Sequence, residues 1–239
     1  MSNKSVYVFG PSRTDGAADM RNILGGKGAN LAEMCRLGIS VPPGLTISAE
    51  VCTVYTEQGA DAARKLIEPE VLAGVAFIEK ELGKKFGNAA DPLLVSVRSG
   101  SRASMPGMMD TILNLGLNEE AIKGLAARSG NERFAWDSYR RFIQMYGDVV
   151  MGLKPVSKED HDPFEEIIDE IKAKKGVELD TQLGVEDLKH MVAEFKALIE
   201  KRLGREFPND PWEQLWGAIM AVFESWNNDR AKLYRKMND

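Results

Sequence analysis

Cysteine and histidine are scarce in this chain of 239 residues, which contains two of each. Cys35 and Cys52 lie on either side of a predicted strand, so we expect free thiols in a reducing, cytoplasmic setting rather than a disulfide framework. The sequence also lacks an apolar run of the roughly 18 residues that a membrane span requires, and it lacks a charged-then-apolar leader. We therefore expect neither a membrane protein nor a secreted one.

The chain has no surplus of positive charge. Residues 1–117 contain 12 basic and 12 acidic side chains, and residues 118–239 contain 19 and 24. Nucleic-acid-binding proteins usually carry a basic face, so nucleic acid is not an expected partner. A hydrophobic content of 44% and a charged content of 28% are typical of a globular domain.

The predicted secondary structure changes character near Leu117. Before this residue short apolar segments alternate with helical patterns, and beyond it the apolar residues recur only at helical spacing. Helices are predicted after Gly28, after Ser48 and over residues 68–85. The predicted strands cover residues 6–9, 45–47, 93–97 and 111–115.

Helix boundaries and buried faces can also be predicted. In the helix after Gly28, Leu31, Met34 and Leu37 are expected to face inward, and Gly38 occupies the position of a helix C-cap. Three later helices have polar N-cap residues, two of them followed by proline at the first helical position. These caps are Asn118, Asp162 with Pro163, and Asp210 with Pro211. The apolar stripes expected in the core are Phe164, Ile167, Ile168 and Ile171; Leu188, Met191, Val192, Phe195, Leu198 and Ile199; and Leu215, Ile219, Val222 and Phe223.

The segment from Leu93 to Leu117 has the composition of an anion-binding loop between two strands. The loop itself, from Arg98 to Thr111, contains two arginines and two glycines, together with four hydroxyl side chains. Arginine presents a planar fork of donors that matches phosphate oxygens, and glycine lets backbone amides approach a ligand. An ordinary β-hairpin with a solvated loop explains the same residues equally well, and no short phosphate-binding motif is matched.

A second segment, residues 21–34, places one lysine in a glycine turn before a helix. Free amides at a helix N-terminus attract anions, and Lys27 would add a full positive charge. The sequence Gly25-Gly26-Lys27-Gly28 lacks the spacing and the hydroxyl residue of a P-loop. Taken alone, this segment is explained more simply by a solvated lysine.

Together the two segments resemble the N-terminal, nucleotide-binding part of the pyruvate, phosphate dikinases. The resemblance covers essentially the whole chain, and the long loop makes it specific. Phosphoenolpyruvate-synthase-like dikinases share the lysine and arginine stretches, but their loop typically differs from residues 104–110 of this chain. The residues that carry the resemblance are 22–34, 95–117, 133–151 and 207–239.

The resemblance implies an α+β fold, namely the first lobe of an ATP-grasp fold. Residues 1–117 with 204–239 would form a mixed α/β nucleotide-binding subdomain, and residues 118–203 an inserted helical subdomain. The second ATP-grasp lobe, the magnesium ligands, the phosphohistidine domain and the pyruvate-binding domain would be missing from these 239 residues. His161 and His190 match no phosphohistidine motif, and we expect both in solvent. The chain would then be a monomeric fragment that is inactive alone.

The resemblance also implies which residues bind ATP or AMP. Lys27 and Arg98 would contact the ATP phosphates, and the loop from Ser101 to Thr111 would close over them. Mg²⁺ would be held by groups outside this chain, so no metal ligand is assigned here. The further loop residues expected at the nucleotide are Arg102, Gly107, Met108 and Met109, together with Ser101 and Thr111 themselves.

Other arginines have a simpler expected role. Arg133, Arg140 and Arg141 are expected to pair with Asp137, Glu132 or Asp148 rather than with a ligand. Two functions of other classes stay open beside the dikinase fragment. The chain could be a free-standing nucleotide-binding module, or a helical interaction protein built on residues 118–239 with a purely structural loop.

Overall fold

The computed structural model describes residues 4–100, 111–157 and 160–227. These residues form helices and short strands, which agrees with the predicted α+β class, and they fall into two compact units. The first unit comprises the described parts of residues 1–85, 98–110 and 219–239, and the second comprises those of residues 86–97 and 111–218. The functional subdomains predicted from the sequence, 1–117 with 204–239 and 118–203, stay a prediction.

The first unit contains two strands and three helices, followed at the end of the chain by part of the last helix. The strands β1 and β2 pair antiparallel, with Val6 opposite Ile47 and Phe9 opposite Gly44. Both strands were predicted, and helix α3 packs against each of them. In chain order the elements are β1 (Val6–Phe9), α1 (Arg21–Arg36), β2 (Gly44–Ile47), α2 (Glu50–Gln58) and α3 (Ala60–Leu82).

The buried face of α1 differs from the predicted one. Met34 and Leu37 were expected to face inward, but 37% of Met34 and 68% of Leu37 is exposed. The helix instead buries its small residues, Gly28, Ala29 and Ala32, which bring its backbone close to the strands. The predicted end of the helix is confirmed, because Gly38 has a positive φ of 77° and its amide donates to Cys35 O.

Helix α3 is longer than its predicted range, residues 68–85. It begins at Ala60, directly after Gly59, and ends at Leu82. Pro69 lies inside this helix, where proline removes one backbone hydrogen bond without ending it. The next residue, Glu70, faces β1, and its carboxylate accepts hydrogen bonds from the amides of Ser5 and Val6.

Residues at the end of the chain also belong to the first unit. Phe223 stacks on Tyr55 of α2 with ring centroids 5.6 Å apart, and the Tyr55 hydroxyl donates to Glu224 at 2.8 Å. Burial, followed by the hydrogen bond to the Glu224 carboxylate, raises the pKa of Tyr55 to about 12. The folded chain therefore favours the protonated phenol.

This pKa predicts a loss of stability at high pH. The contribution of Tyr55 is fully present below its unfolded pKa of 10.0 and is lost as the pH rises through about 12. Between these values the thermal midpoint should fall more steeply for the unaltered chain than for Tyr55→Phe, since all other titrating groups are common to both. Parallel pH profiles for the two proteins would contradict this prediction.

The second unit combines two short strand pairs with helices. Strands β3 and β4 pair with each other, and β5 pairs antiparallel with β6, with an irregular register between Val95 and Val97. The predicted strand 93–97 is thus interrupted at Leu94. The elements are β3 (Lys85–Phe86), β4 (Pro92–Leu93), β5 (Val95–Val97), β6 (Ile112–Leu115), α4 (Glu119–Ser129), α5 (Glu132–Val149), α6 (Pro163–Lys175), α7 (Val185–Leu203) and α8 (Pro211–Ser225). The chain passes from one unit to the other after residues 85, 97, 110 and 218, so Lys85 of β3 and the last part of α8 belong to the first unit.

Three helices of the second unit, α4, α6 and α8, begin where the sequence predicts. The side chains of Asn118, Asp162 and Asp210 each accept a hydrogen bond from an amide in the first turn that follows. Most of the predicted stripe residues are buried, among them Phe164 and Phe195, whose rings meet edge to face. Beyond Leu117 the described residues contain no strand, as predicted.

A buried glutamine ties the end of β6 to α8 within the second unit. Gln214 is fully buried, and its Oε1 accepts a hydrogen bond from the Gly116 amide at 2.9 Å. Its Nε2 donates to the carbonyls of Leu117 and Pro208, both at 2.9 Å. One side chain thus satisfies three backbone groups.

Neither Cys35 nor Cys52 forms a disulfide, and both are half-buried. Within the described ranges, none of the helices combines the length and apolar character needed to cross a membrane.

Candidate functional site

Helix α1 is broken near its start by Gly25. This residue has φ 68° and ψ 172°, values that lie outside the helical range and that glycine adopts without strain. Residues 21–24 form a single turn before the break, and the main helical segment follows it. The first amides of a helical segment have no carbonyl acceptor within that segment, and for this reason helix starts are common places for an anion to bind.

Lys27 lies in this first turn and reaches the segment after β5. Its side chain is exposed, and its Nζ donates a hydrogen bond to the main-chain carbonyl of Ser99 at 3.0 Å. The structure therefore brings together the two sequence segments that were singled out for anion binding. Both contacting residues belong to the first unit.

Arg98 and Ser99 have opposite environments. Only 5% of Ser99 is exposed, whereas Arg98 and Gly100 on either side of it are exposed. Among the residues that the structure describes, no carboxylate lies within 4.0 Å of the charged nitrogens of Arg98 or Lys27. Neither positive charge is therefore neutralised by a carboxylate among the described residues.

Close packing against β2 fixes the position of Lys27. A Cβ atom at Gly28 would lie 2.7 Å from Thr46 Cγ2 and 2.9 Å from Thr46 Oγ1, which is too close for a side chain. Glycine at this position lets the first turn of α1 rest directly on the strand. The contact thereby fixes the backbone from which the Lys27 side chain extends.

Replacing Gly28 by alanine should therefore displace Lys27. We expect Gly28→Ala to lower stability by about 1–2 kcal/mol through overpacking, and to weaken binding of a phosphate ligand by roughly tenfold. The double variant Gly28→Ala/Thr46→Ala removes both clashing atoms and should restore both properties, with Thr46→Ala alone as the control. Thermal unfolding and calorimetric titration measure the two effects. A double variant as impaired as Gly28→Ala would contradict the packing explanation.

Comparison with known proteins identifies the family. The model of the pyruvate phosphate dikinase AMP/ATP-binding domain matches residues 21–71 and 61–239. The chain belongs to this family. It is 54% identical to pyruvate, phosphate dikinase of Rhizobium meliloti (strain 1021) over 98% of the chain, and 54% identical to that of Clostridium symbiosum over 99%. It is 51% identical to a chloroplastic pyruvate, phosphate dikinase of Arabidopsis thaliana over 100% of the chain. The chain spans about a quarter of the length of these relatives, 24–26%.

Within this dikinase domain the remaining predicted nucleotide contacts lie in the loop after Gly100. Ser101, Arg102, Gly107, Met108 and Met109 lie outside the described residues. Thr111 is half-buried, directly precedes β6, and belongs to the second unit.

The other arginines of the domain have structural partners, in part the predicted ones. The buried guanidinium of Arg140 pairs with Asp137 at 2.7 Å and with Asp180 at 3.2 Å, and Arg141 pairs with Asp137 at 3.0 Å. Arg133 was also expected to pair with a carboxylate, but it donates to the main-chain carbonyls of Asp180 and Leu183, both at 2.7 Å. These contacts hold the loop before α7 against α5.

The two histidines of the domain are both exposed, as predicted. His161 lies before the cap of α6, and His190 lies on α7 with its Nδ1 4.0 Å from a carboxylate oxygen of Glu194. Neither lies in the unit that contains Lys27.

Magnesium chemistry is implied by an ATP ligand, but the described residues do not fit a magnesium centre. Mg²⁺ prefers carboxylate oxygens and water, whereas Lys27 is itself a cation and its hydrogen-bond partner is a main-chain carbonyl. Among the described residues no cluster of three potential metal-ligating side chains occurs.

Three features of this site were not predicted. The helix break lies at Gly25, the acceptor of Lys27 is the Ser99 carbonyl, and Thr46 supports Gly28. The paired glycines at 25 and 26 are the available signal for the break. The carbonyl and the strand contact depend on tertiary structure and leave no local signal in the sequence.

Proposed function

We propose that this chain binds the phosphates of ATP through Lys27 and Arg98, as the nucleotide-binding part of a pyruvate, phosphate dikinase. The observation that carries the proposal is the hydrogen bond from Lys27 Nζ to Ser99 O, which places the lysine beside the residue that follows Arg98. Family membership supports the nucleotide as the anion.

The two cations suit different parts of phosphate recognition. Lysine supplies a compact charge with three donors, and arginine supplies a rigid fork that binds two oxygens of one phosphate. The amides after Gly25 add neutral donors at a helix N-terminus. Phosphoryl transfer depends mainly on positioned charge rather than on a protein nucleophile, so these groups would hold and polarise the phosphates for transfer.

The loop of residues 101–111 completes the proposed phosphate site. In this proposal Ser101, Arg102, Gly107, Met108, Met109 and Thr111 close over the nucleotide. The domain then acts as the first lobe of an ATP-grasp fold, with residues 118–203 as its inserted helical subdomain. The magnesium ligands and much of the adenine pocket would lie in a second lobe outside these 239 residues.

The relatives suggest the reaction of the whole protein. We infer that it interconverts ATP, phosphate and pyruvate with AMP, pyrophosphate and phosphoenolpyruvate through a phosphohistidine. The histidine and the pyruvate site would be supplied by other domains, so this chain alone would bind nucleotide without turnover. We expect this 239-residue chain to be monomeric and cytoplasmic. The relatives named above are pyruvate, phosphate dikinases, which favours this reaction over that of a phosphoenolpyruvate-synthase-like enzyme.

Calorimetric titration of the purified chain tests the proposal. Mg-ATP and Mg-tripolyphosphate should both bind, because recognition rests on the phosphates, whereas adenosine should bind far more weakly. If adenosine binds as well as Mg-ATP, or if neither phosphate ligand binds, Lys27 and Arg98 do not form a phosphate site in this chain.

A further inference from the structure

The contact between Lys27 and Ser99 has a consequence for how the two cations act. Lys27 lies in the first turn of α1 after the Gly25 break, while Arg98 lies in a segment about seventy residues later in the sequence. The 3.0 Å hydrogen bond from Lys27 Nζ to Ser99 O connects the two. The acceptor is the main-chain carbonyl of Ser99, the residue that follows Arg98.

We propose that the Ser99 carbonyl is a positioning group for Lys27, which ties the ammonium to the Arg98 segment so that both cations bind phosphate as one coupled pair. The inference rests on the proposed function and adds the way in which the site is held together. It assigns Ser99 a role through its main chain, whereas Lys27 and Arg98 contact the ligand themselves.

The burial of Ser99 makes its carbonyl a fixed acceptor. Only 5% of this residue is exposed, and its hydroxyl has no hydrogen-bond partner among the described residues. Ser99 is therefore held by packing rather than by its own polar group. The backbone of α1 also passes close by, since the Leu24 carbonyl lies 4.0 Å from the position of a Cβ at Gly100.

The ammonium of Lys27 has enough donors to bond the Ser99 carbonyl and a phosphate at the same time. Lysine has three N–H donors, so a bond to Ser99 O leaves two for phosphate oxygens. An ammonium already held in place loses less side-chain freedom when it binds a ligand. Loss of Lys27 should consequently affect Arg98 as well, because the segment that carries the arginine loses one of its attachments.

Selective labelling can observe the Ser99 carbonyl directly. The sequence contains two serine–glycine pairs, Ser99–Gly100 and Ser129–Gly130. A chain made by cell-free synthesis with ¹³C′-serine and ¹⁵N-glycine therefore gives two carbonyl–amide correlations. Loss of a hydrogen bond to a carbonyl moves its ¹³C′ resonance upfield. We expect Lys27→Met to move the Ser99 carbonyl upfield and to leave that of Ser129 in place.

Two controls accompany this measurement, which needs no nucleotide. Lys65→Met removes another exposed lysine of the first unit and should move neither resonance. Ser99→Ala, followed through an alanine label, retains the main-chain carbonyl and should respond to Lys27→Met in the same way. A Ser99 carbonyl that does not move in Lys27→Met overturns the inference.

A double-mutant cycle tests the coupling. Mg-ATP affinity is measured for the unaltered chain, Lys27→Met, Arg98→Ala and the double variant. For a coupled pair, the loss in the double variant should fall short of the product of the single losses by about threefold or more. Losses that multiply overturn the coupling. If the unaltered chain binds no Mg-ATP, the proposed function fails, and the carbonyl shift alone then decides whether Ser99 positions Lys27.

Discussion

Replacing Arg98 by alanine should weaken Mg-ATP binding by roughly ten- to a hundredfold. A hydrogen-bonded contact between charged groups contributes about 1.5–3 kcal/mol, and a bidentate arginine–phosphate contact belongs to the stronger examples. The stability of the chain should change little, because Arg98 is exposed and has no described carboxylate within ion-pair distance. Calorimetry measures the affinity and thermal unfolding measures the stability.

The chain offers a matched control for this substitution. Arg128 stands in the same tripeptide, Arg-Ser-Gly, at the end of α4 in the second unit. It is exposed and pairs with Asp91 at 2.9 Å. Arg128→Ala removes the same charge from the protein, so it accounts for any general effect of net charge on binding a polyanion.

The outcomes separate a ligand contact from a structural one. Loss of affinity in Arg98→Ala with unchanged affinity in Arg128→Ala supports the phosphate site. A similar loss in both variants would indicate long-range attraction that any positive charge can supply. A lower thermal midpoint in Arg98→Ala without ligand would instead assign Arg98 to the fold, contrary to the proposal.

Much of the fold could be predicted because local rules determine it. The caps at Asn118, Asp162 and Asp210 were readable, since a polar side chain before an apolar stripe satisfies free amides without help from tertiary structure. The glycine end at Gly38 follows from the backbone conformation it requires. Such features depend on residues within a few positions of one another.

The errors occurred where tertiary packing outweighed a local pattern. Large apolar residues on α1 predicted a buried face with Met34 and Leu37, but the strands accept the side of the helix with the smallest residues. Gly28 against Thr46 shows why, because close approach of helix and strand requires the absence of a side chain. Hydrophobic periodicity predicts which face of a helix is apolar. It does not predict how much space a neighbouring element leaves for the side chains on that face.

The same reasoning applies to the candidate site. Lys27 and Arg98 were predicted from their residue types and from family resemblance, and the structure adds the contact with Ser99 O. A main-chain acceptor has no side-chain signature, so its involvement cannot be deduced from which residue occupies position 99. The roles of all the predicted nucleotide contacts stay predictions that binding experiments must test.

The largest effect on stability is expected at Gln214. Its side chain accepts a hydrogen bond from the Gly116 amide and donates to the carbonyls of Leu117 and Pro208. The main-chain carbonyl of Gln214 accepts a hydrogen bond from the Tyr146 hydroxyl at 3.3 Å. Gln214→Leu keeps a similar volume but leaves three backbone groups without this partner. Each buried polar group left unpaired costs about 1–3 kcal/mol, so we expect a loss of about 3–5 kcal/mol after local relaxation.

Gln214→Glu separates hydrogen bonding from packing. An ionised glutamate can still accept from the Gly116 amide but cannot donate to the two carbonyls, which would then face a negative charge. It should therefore destabilise the chain at neutral pH and less so in acid, where the protonated acid regains one donor. Gln144→Leu is the control, since the half-buried side chain of Gln144 bonds Glu165 and, at 3.4 Å, Arg140, but no main-chain group, and its loss should cost less. Denaturant unfolding of the three variants measures these differences.

A Gln214→Leu chain as stable as Gln144→Leu would mean that water or a shift of β6 satisfies the three backbone groups. The close connection of the Gly116 turn to α8 would then be a consequence of packing rather than of this glutamine.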